Sequence, residues 1–333
     1  MRVVLFAAVA AVATVAACGG KSKPVQLAPL PDDPKVAAEP PKQAAPKEAP
    51  PPAEPPPPPP EPTGPVELKI PARETTVTLI SKGKGKLAPL RYTGKVGGKQ
   101  QIELALDFAS NEAMGTEKRE MAIPTIVLVG EAETKAIDKA GRADYAIAIT
   151  GNDARAVPGA QLRPEDMKQM LSSLTGLAIG GSVAANGAAS EVTLRVEKPD
   201  RRTAGALDMV RLTLPALPLL PAEPVGVGAK WQTTTKTKLA ERIDVTLVTD
   251  YELVSVKGTT WSIKGTTTVT GGDQELEGGK ISGIKGTGQS ELVLVAGALY
   301  PTYKTAIETQ FTASDKDASL TLALRVGSSI TAK

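Results

Sequence analysis

The chain contains no histidine. That removes the commonest general base and the commonest transition-metal ligand, and with them any Ser-His-Asp triad. It has a single cysteine, Cys18, so a zinc site built from cysteine and histidine is excluded as well. A charge excess is also missing: 39 basic residues stand against 36 acidic ones. No nucleic-acid footprint follows from such a balance. Aromatic residues make up only 3% of the chain. Finally, the long apolar run at the start, Val3 to Ala17, falls short of the roughly 20 residues a membrane-spanning helix needs.

That run carries a signal of its own. Arg2 gives a basic start, fifteen uncharged residues rich in Ala and Val follow, and small residues close the run. This is the layout of a secretory signal peptide, placed at 1–17. The end of it, Val15-Ala16-Ala17-Cys18 followed by Gly19, resembles the lipobox of bacterial lipoprotein precursors. The resemblance covers the first 19 residues. It implies cleavage before Cys18 and acylation of its thiol, the side chain best suited to thioether formation. Each buried methylene of such a chain contributes about 0.8 kcal/mol of membrane affinity. Gly rather than Asp at position 19 implies an outer-membrane address. The alternative is an ordinary signal peptide with Cys18 as an incidental free thiol.

Composition then changes abruptly. Between Gly19 and Pro65 lie 18 of the 29 prolines, six of them in the unbroken run Pro55 to Pro60, and no aromatics. Such a segment cannot bury enough apolar surface to offset its ordering entropy. We expect a disordered tether over 18–65, extended as polyproline II at roughly 3.1 Å per residue.

Residues 66–333 are expected to form the folded part, mainly β. Ile102, Leu104, Leu106 and Phe108 alternate with smaller or polar residues; Tyr303, Thr305, Ile307, Thr309 and Phe311 do the same, as do Leu320, Leu322, Leu324 and Val326. Period two means one buried and one wetter face, the habit of antiparallel sheets. Glycine-containing breaks at 97–98, 258, 271–272, 278–279 and 297 read as turns. The expectation is a curved antiparallel sheet or an incompletely closed barrel.

One stretch departs from this pattern. Pro164, Glu165 and Asp166 suit the first turn of a helix, and Met167, Met170, Leu171 and Leu174 recur at helical spacing before Gly176. One amphipathic helix is expected near 164–175, its apolar face laid on the sheet, where it would plug the mouth of any ligand cavity.

The folded part also carries two pairs of similar segments. Val96-Gly97-Gly98-Lys99 and Val227-Gly228-Ala229-Lys230 each precede a strand, and Leu174-Thr175-Gly176-Leu177 is similar to Ile281-Ser282-Gly283-Ile284. This divides the fold into two similar halves, 66–213 and 225–333, joined by the Pro-rich crossing Leu214 to Pro224; coincidence in a Gly- and Thr-rich chain is the alternative. The Gly-Lys turn and the later Val-Gly-Val-Gly-Ala-Lys-Trp turn resemble, over residues 75–325, bacterial lipoproteins known only as families of unknown function. That resemblance implies no activity.

No catalytic constellation stands out. Asp315-Lys316-Asp317 lacks the glycine and distal glutamate of a calcium loop and reads as a charged turn. Glu112, Glu117, Glu275 and Glu277 are isolated. Lys82-Gly83-Lys84-Gly85-Lys86 lacks the spacing of a phosphate-binding loop and reads as a flexible basic turn. Trp231, Trp261, Tyr251, Tyr300 and Tyr303 read as core anchors, with a ligand pocket as the alternative. We therefore expect no enzyme, no cofactor, no metal and no nucleic-acid partner. The expected protein is a lipid-anchored envelope lipoprotein of the outer membrane. It would act as a structural or interaction module with an envelope protein partner, or as a carrier of an apolar ligand such as a lipid or acyl chain.

Overall fold

The computed structural model describes residues 64–333 apart from 240, 277, 317 and 333. The signal segment, Cys18 and the tether up to residue 63 lie outside the described residues, as do Glu277 and Asp317. The first strands are β1 (Val66–Ile70), β2 (Glu74–Ser81), β3 (Lys84–Ala88), β4 (Lys99–Met114), β5 (Glu117–Ala122), β6 (Thr125–Ile137) and β7 (Ala143–Arg155). After an insertion come β8 (Ala178–Val183) and β9 (Val192–Val196), then β10 (Val225–Val227), β11 (Lys230–Leu239), β12 (Ile243–Lys257) and β13 (Thr260–Thr270). β14 (Gln274–Leu276), β15 (Gly279–Val295), β16 (Thr302–Ser314) and β17 (Ser319–Ala332) complete the set.

Fifteen of these strands form one antiparallel sheet, in the order β1, β9, β8, β7, β6, β4, β17, β16, β15, β13, β12, β11, β2, with β5 on β4 and β14 on β15. The sheet is not closed: among the described residues no ladder joins β1 to β2. Yet these two edge strands are consecutive in the chain, separated only by Pro71-Ala72-Arg73. An extended link of that length spans roughly 14 Å at most. The two edges must therefore approach each other there, and the sheet must curl almost fully round. The curved, incompletely closed sheet expected from the alternation is what forms, with a seam between β1 and β2.

Register is set by which face is wet. On the outer face, cross-strand partners carry opposite charges: Arg195 opposite Glu67, Lys230 opposite Glu252, Lys264 opposite Glu291. These pairs are exposed and each contributes well under about 1 kcal/mol, but a slip of one residue would turn them inward. Pro124 separates β5 from β6, and β12 bulges between Leu253 and Ser255.

The inner face holds two apolar clusters. The larger gathers Leu104 and Leu128, Ile147, Ile179, Leu194, Trp231, Leu253, Leu292, Leu294 and Tyr303 with the helical insertion and the Pro-rich crossing. The smaller lies toward the other end of the long strands: Ile243, Val245, Val269, Ile281, Ile284, Phe311, Ala313 and Leu322. Thr233, Thr249 and Thr267, aligned across β11, β12 and β13, are nearly fully buried. Thr249 and Thr267 satisfy each other, hydroxyl to hydroxyl at 2.9 Å.

Among the described residues two α-helices occur, one more than expected. α1 (Pro164–Leu171) has Pro164 in its first turn and runs on as a 3-10 turn, Ser172–Leu174. α2 (Thr203–Thr213) buries Ala206, Leu207 and Val210. Thr203, Ala206, Leu207 and Val210 fall at i, i+3, i+4 and i+7 and face the core. Gly205 and the β-favouring threonines at both ends weaken the propensity, so tertiary packing decides the outcome. The crossing after α2 is pinned by three buried contacts. The Tyr92 hydroxyl donates to Pro218 O at 2.8 Å, Trp231 Nε1 to Leu219 O at 3.0 Å, and Leu220 N to Asn186 O at 2.8 Å.

The two proposed halves, 66–213 and 225–333, occupy contiguous parts of the one sheet. Apart from β1, β2, β3, β5, β10 and β14, the first is the meander β4, β6, β7, β8, β9, and the second is β11, β12, β13, β15, β16, β17. The two Gly-Lys turns precede the first strand of each meander. The second pair of similar segments falls just before β8 and within β15, the fourth main strand of each.

Candidate functional site at the seam

The residues nominated as a helical plug are placed on the inner side of the sheet. Met167, Leu171 and Leu174 are buried in the large cluster, while Met170 is half-buried and stands outside it. α1 lies against β7, and Arg163, just before it, holds Asp166 through two hydrogen bonds of 2.8 Å. The aromatic residues sit in the same cluster. Trp231 stacks on Tyr251 with ring centroids 5.5 Å apart, and Tyr145 meets Tyr300 edge to face at 5.8 Å. They anchor the core, and Trp261 packs against it half-buried.

The polar residues that come together do so at the seam. Arg73, the last residue of the link between β1 and β2, is exposed to solvent. Even so, surrounding protein desolvates its guanidinium enough to lower its pKa, and the Tyr303 hydroxyl is near enough to push the other way. Tyr303 itself is buried on the inner face of β16. Among the described residues Arg73 has no carboxylate partner.

Tyr303 belongs to a cluster of hydroxyl groups. Burial raises the pKa of Tyr303 first of all, against the lowering influence of Thr305, Ser290, Arg73 and Tyr251. Burial likewise raises Tyr251, whose hydroxyl neighbours are Ser290, Thr249 and Tyr303. Ser290 is buried beside both of these hydroxyls. Gly265, opposite both Tyr251 and Ser290 in the sheet, makes room for this cluster. A methyl group there would sit 2.4 Å from Ser290 Oγ and 2.7 Å from the Tyr251 ring. The cluster thus gathers several neutral hydroxyls on the inner face of the sheet. Sequence reasoning missed Arg73, because its importance depends on β1 and β2 lying at opposite edges, which no local pattern in Pro-Ala-Arg reveals.

The other candidates stay apart. Asp315 caps its own turn, its carboxylate accepting from Ala318 N at 2.8 Å. Glu117 and Glu275 are exposed, and Glu112 is half-buried on β4. Among the described residues no group of three or more Cys, Asp or Glu could hold a metal ion, and no helix is long and apolar enough to cross a membrane. The basic stretch 82–86 is not a flexible turn. It forms β3, which pairs with the other glycine-rich segment, β10. Gly83 has φ +75° and lies so close to β10 that an added methyl would meet Gly226 O at 2.3 Å. The glycines serve a close backbone approach.

Residues 215–294 are similar to a family of unknown function, DUF6263. The matched stretch runs from the crossing through β10–β14 to the last residues of β15, and so includes Trp231, Tyr251, Gly265 and Ser290. No curated protein matches the chain, and no solved structure does.

Proposed function

We propose that this is a lipid-anchored protein of the bacterial cell envelope, attached through Cys18 to the outer membrane, whose β domain works by binding rather than by catalysis. The Pro-rich tether sets how far the domain ranges from the membrane. The observation that carries the binding role is the seam: two sheet edges, β1 and β2, that no ladder joins among the described residues, linked through the exposed Arg73, which has no carboxylate partner there. The absence of histidine from the sequence supports the non-catalytic reading. In this reading the domain is an interaction module of the envelope.

A second reading, carriage of an apolar ligand inside the curled sheet, is favoured by one feature: β1 and β2 are not hydrogen-bonded to each other, so the edges can part without breaking a ladder. Against it stands the dense packing of Met167, Leu171 and Leu174 on the sheet. Fractionation of a Cys18→Ala variant tests the anchor: it should be found soluble or unprocessed, and unchanged membrane attachment would sink the claim. Native mass spectrometry separates the two readings, since a co-purifying lipid marks carriage and its absence marks the interaction module.

A further inference from the structure

The basic stretch 82–86 lies at one end of the sheet, among side chains that the seam does not involve. Ser81 stands opposite Lys230, Lys230 opposite Glu252, Lys257 opposite Thr260 and Thr260 opposite Val295. β2, β12 and β15 therefore finish at the same rim where β11 and β13 begin. The β3–β10 ribbon is fastened to this rim by its backbone: Gly226 N donates to Lys82 O and Gly228 N to Leu253 O, each at 2.8 Å. Aliphatic side chains stand in water here. Ile80 is 61% exposed, and Leu87, Val227 and Val254 are each 44% exposed. Val293 and Val295, two strands further round from β12, are exposed as well. Beside them Lys82, Lys84, Lys86 and Lys257 are exposed, and among the described residues none of the four has a carboxylate partner. Glu252 is already held by Lys230, at 3.6 Å. The carboxylate flanking the ribbon is Glu223, so positive charge is in excess.

Exposed apolar side chains gathered within a polar rim mark an interaction surface. Lysine on an edge strand can serve only to deter pairing with another chain, but the aliphatic groups beside it invite contact rather than prevent it. Residue type then identifies the partner. Protein interfaces are rich in aromatic residues, methionine and arginine and poor in lysine. This rim has the opposite make-up, Ile, Leu and Val beside Lys. That combination suits a bilayer surface, where aliphatic groups enter the acyl boundary while lysine stems lie along it and keep their ammonium groups among the headgroups. We propose that this rim, with the β3–β10 ribbon at its centre, docks onto a membrane surface that carries anionic lipid headgroups. Each lysine close to such a surface strengthens binding about fivefold. The rim is a second surface, so this inference stands or falls without the seam and without the anchor at Cys18.

The test places an environment-sensitive fluorophore on the full chain. Cys18 is the one native cysteine, so Cys18→Ala combined with Val227→Cys labels the rim alone, and Cys18→Ala combined with Thr270→Cys labels the far end of β13. Each chain is mixed with vesicles of phosphatidylcholine, or of phosphatidylcholine and phosphatidylglycerol in equal parts. The expected result is a blue shift from position 227 on the anionic vesicles, little on the neutral ones, and none from position 270 on either. Binding through the amino-terminal segment would not distinguish the two labels. Lys82→Gln, Lys84→Gln and Lys86→Gln together should weaken the response about a hundredfold, with the melting temperature unchanged. If that variant does not fold, salt decides: the shift at 227 should fade as ionic strength rises. Equal shifts from both positions, equal shifts on both vesicles, or a response that neither salt nor loss of the lysines weakens overturns the inference. A shift on polyglutamate with none on anionic vesicles also overturns it, and assigns an acidic protein as the partner instead.

Discussion

The two meanders begin alike and end differently. In the first, β8 and β9 are short, six and five residues, and the chain leaves the sheet twice to form α1 and α2. In the second, β15, β16 and β17 run 17, 13 and 14 residues, and no helix interrupts them. Near the helices both meanders share one large core. Beyond them the long strands continue with nothing laid on their inner face, and there they close on one another around Phe311 and Val269. The difference shows what a curved sheet requires. An inner face is buried either by inserted helices or by tighter curling, and strand length decides which.

That contrast can be broken by mutation, beginning with the large core. Trp231 is fully buried, stacked on Tyr251 and bonded to the crossing. Trp231→Ala should cost about 3–5 kcal/mol in urea denaturation and expose the whole domain to hydrogen exchange. A loss below about 1 kcal/mol would mean that the crossing is not held by the core. Phe311→Ala, in the smaller cluster, should cost about 3 kcal/mol, with its exchange confined to the ends of β12, β13, β15 and β16. Uniform loss of protection would show that the two clusters open as one.

The aromatic residues make the large core sensitive to alkali. All five tyrosines have raised pKa values because of burial, Tyr145 to about 12. The folded state therefore holds these protons more tightly than the unfolded chain. The stability they confer is complete below pH 10 and is lost as pH rises through the folded values. Tyr145 alone accounts for on the order of 2 kcal/mol. Denaturation midpoints should stay flat between pH 6 and 8, where a histidine-free chain has almost nothing to titrate, and fall above pH 10. Tyrosinate absorbance appearing well before unfolding would contradict this. The smallest effect lies on the outer face: Lys264→Met, which removes the exposed pair with Glu291, should change stability by less than about 0.5 kcal/mol.

Much of this architecture is legible in the sequence. Alternation in β4, β16 and β17 specified strands and their inner faces, glycine marked the turns, and the spacing of Met167, Leu171 and Leu174 specified α1. What was not legible depends on contacts remote in sequence. α2 forms because the core buries it, against middling propensity. β3 forms because β10 meets it from about 140 residues away. Arg73 gains its place only when β1 and β2 become opposite edges, a fact of topology that the three residues between them do not encode. The outer face was easier to foresee than the seam for the same reason: charge alternation is local, whereas closure is global.

The central claim is that this domain acts at its seam. The direct measurement is site-specific photo-cross-linking in intact cells, with the reactive group at Ala72 in the link and, for comparison, at Arg325 on the outer face of β17, midway round the sheet; both positions are exposed. The account predicts discrete adducts from Ala72 and none from Arg325. Adducts from Arg325 alone would place function on the outer wall and contradict it.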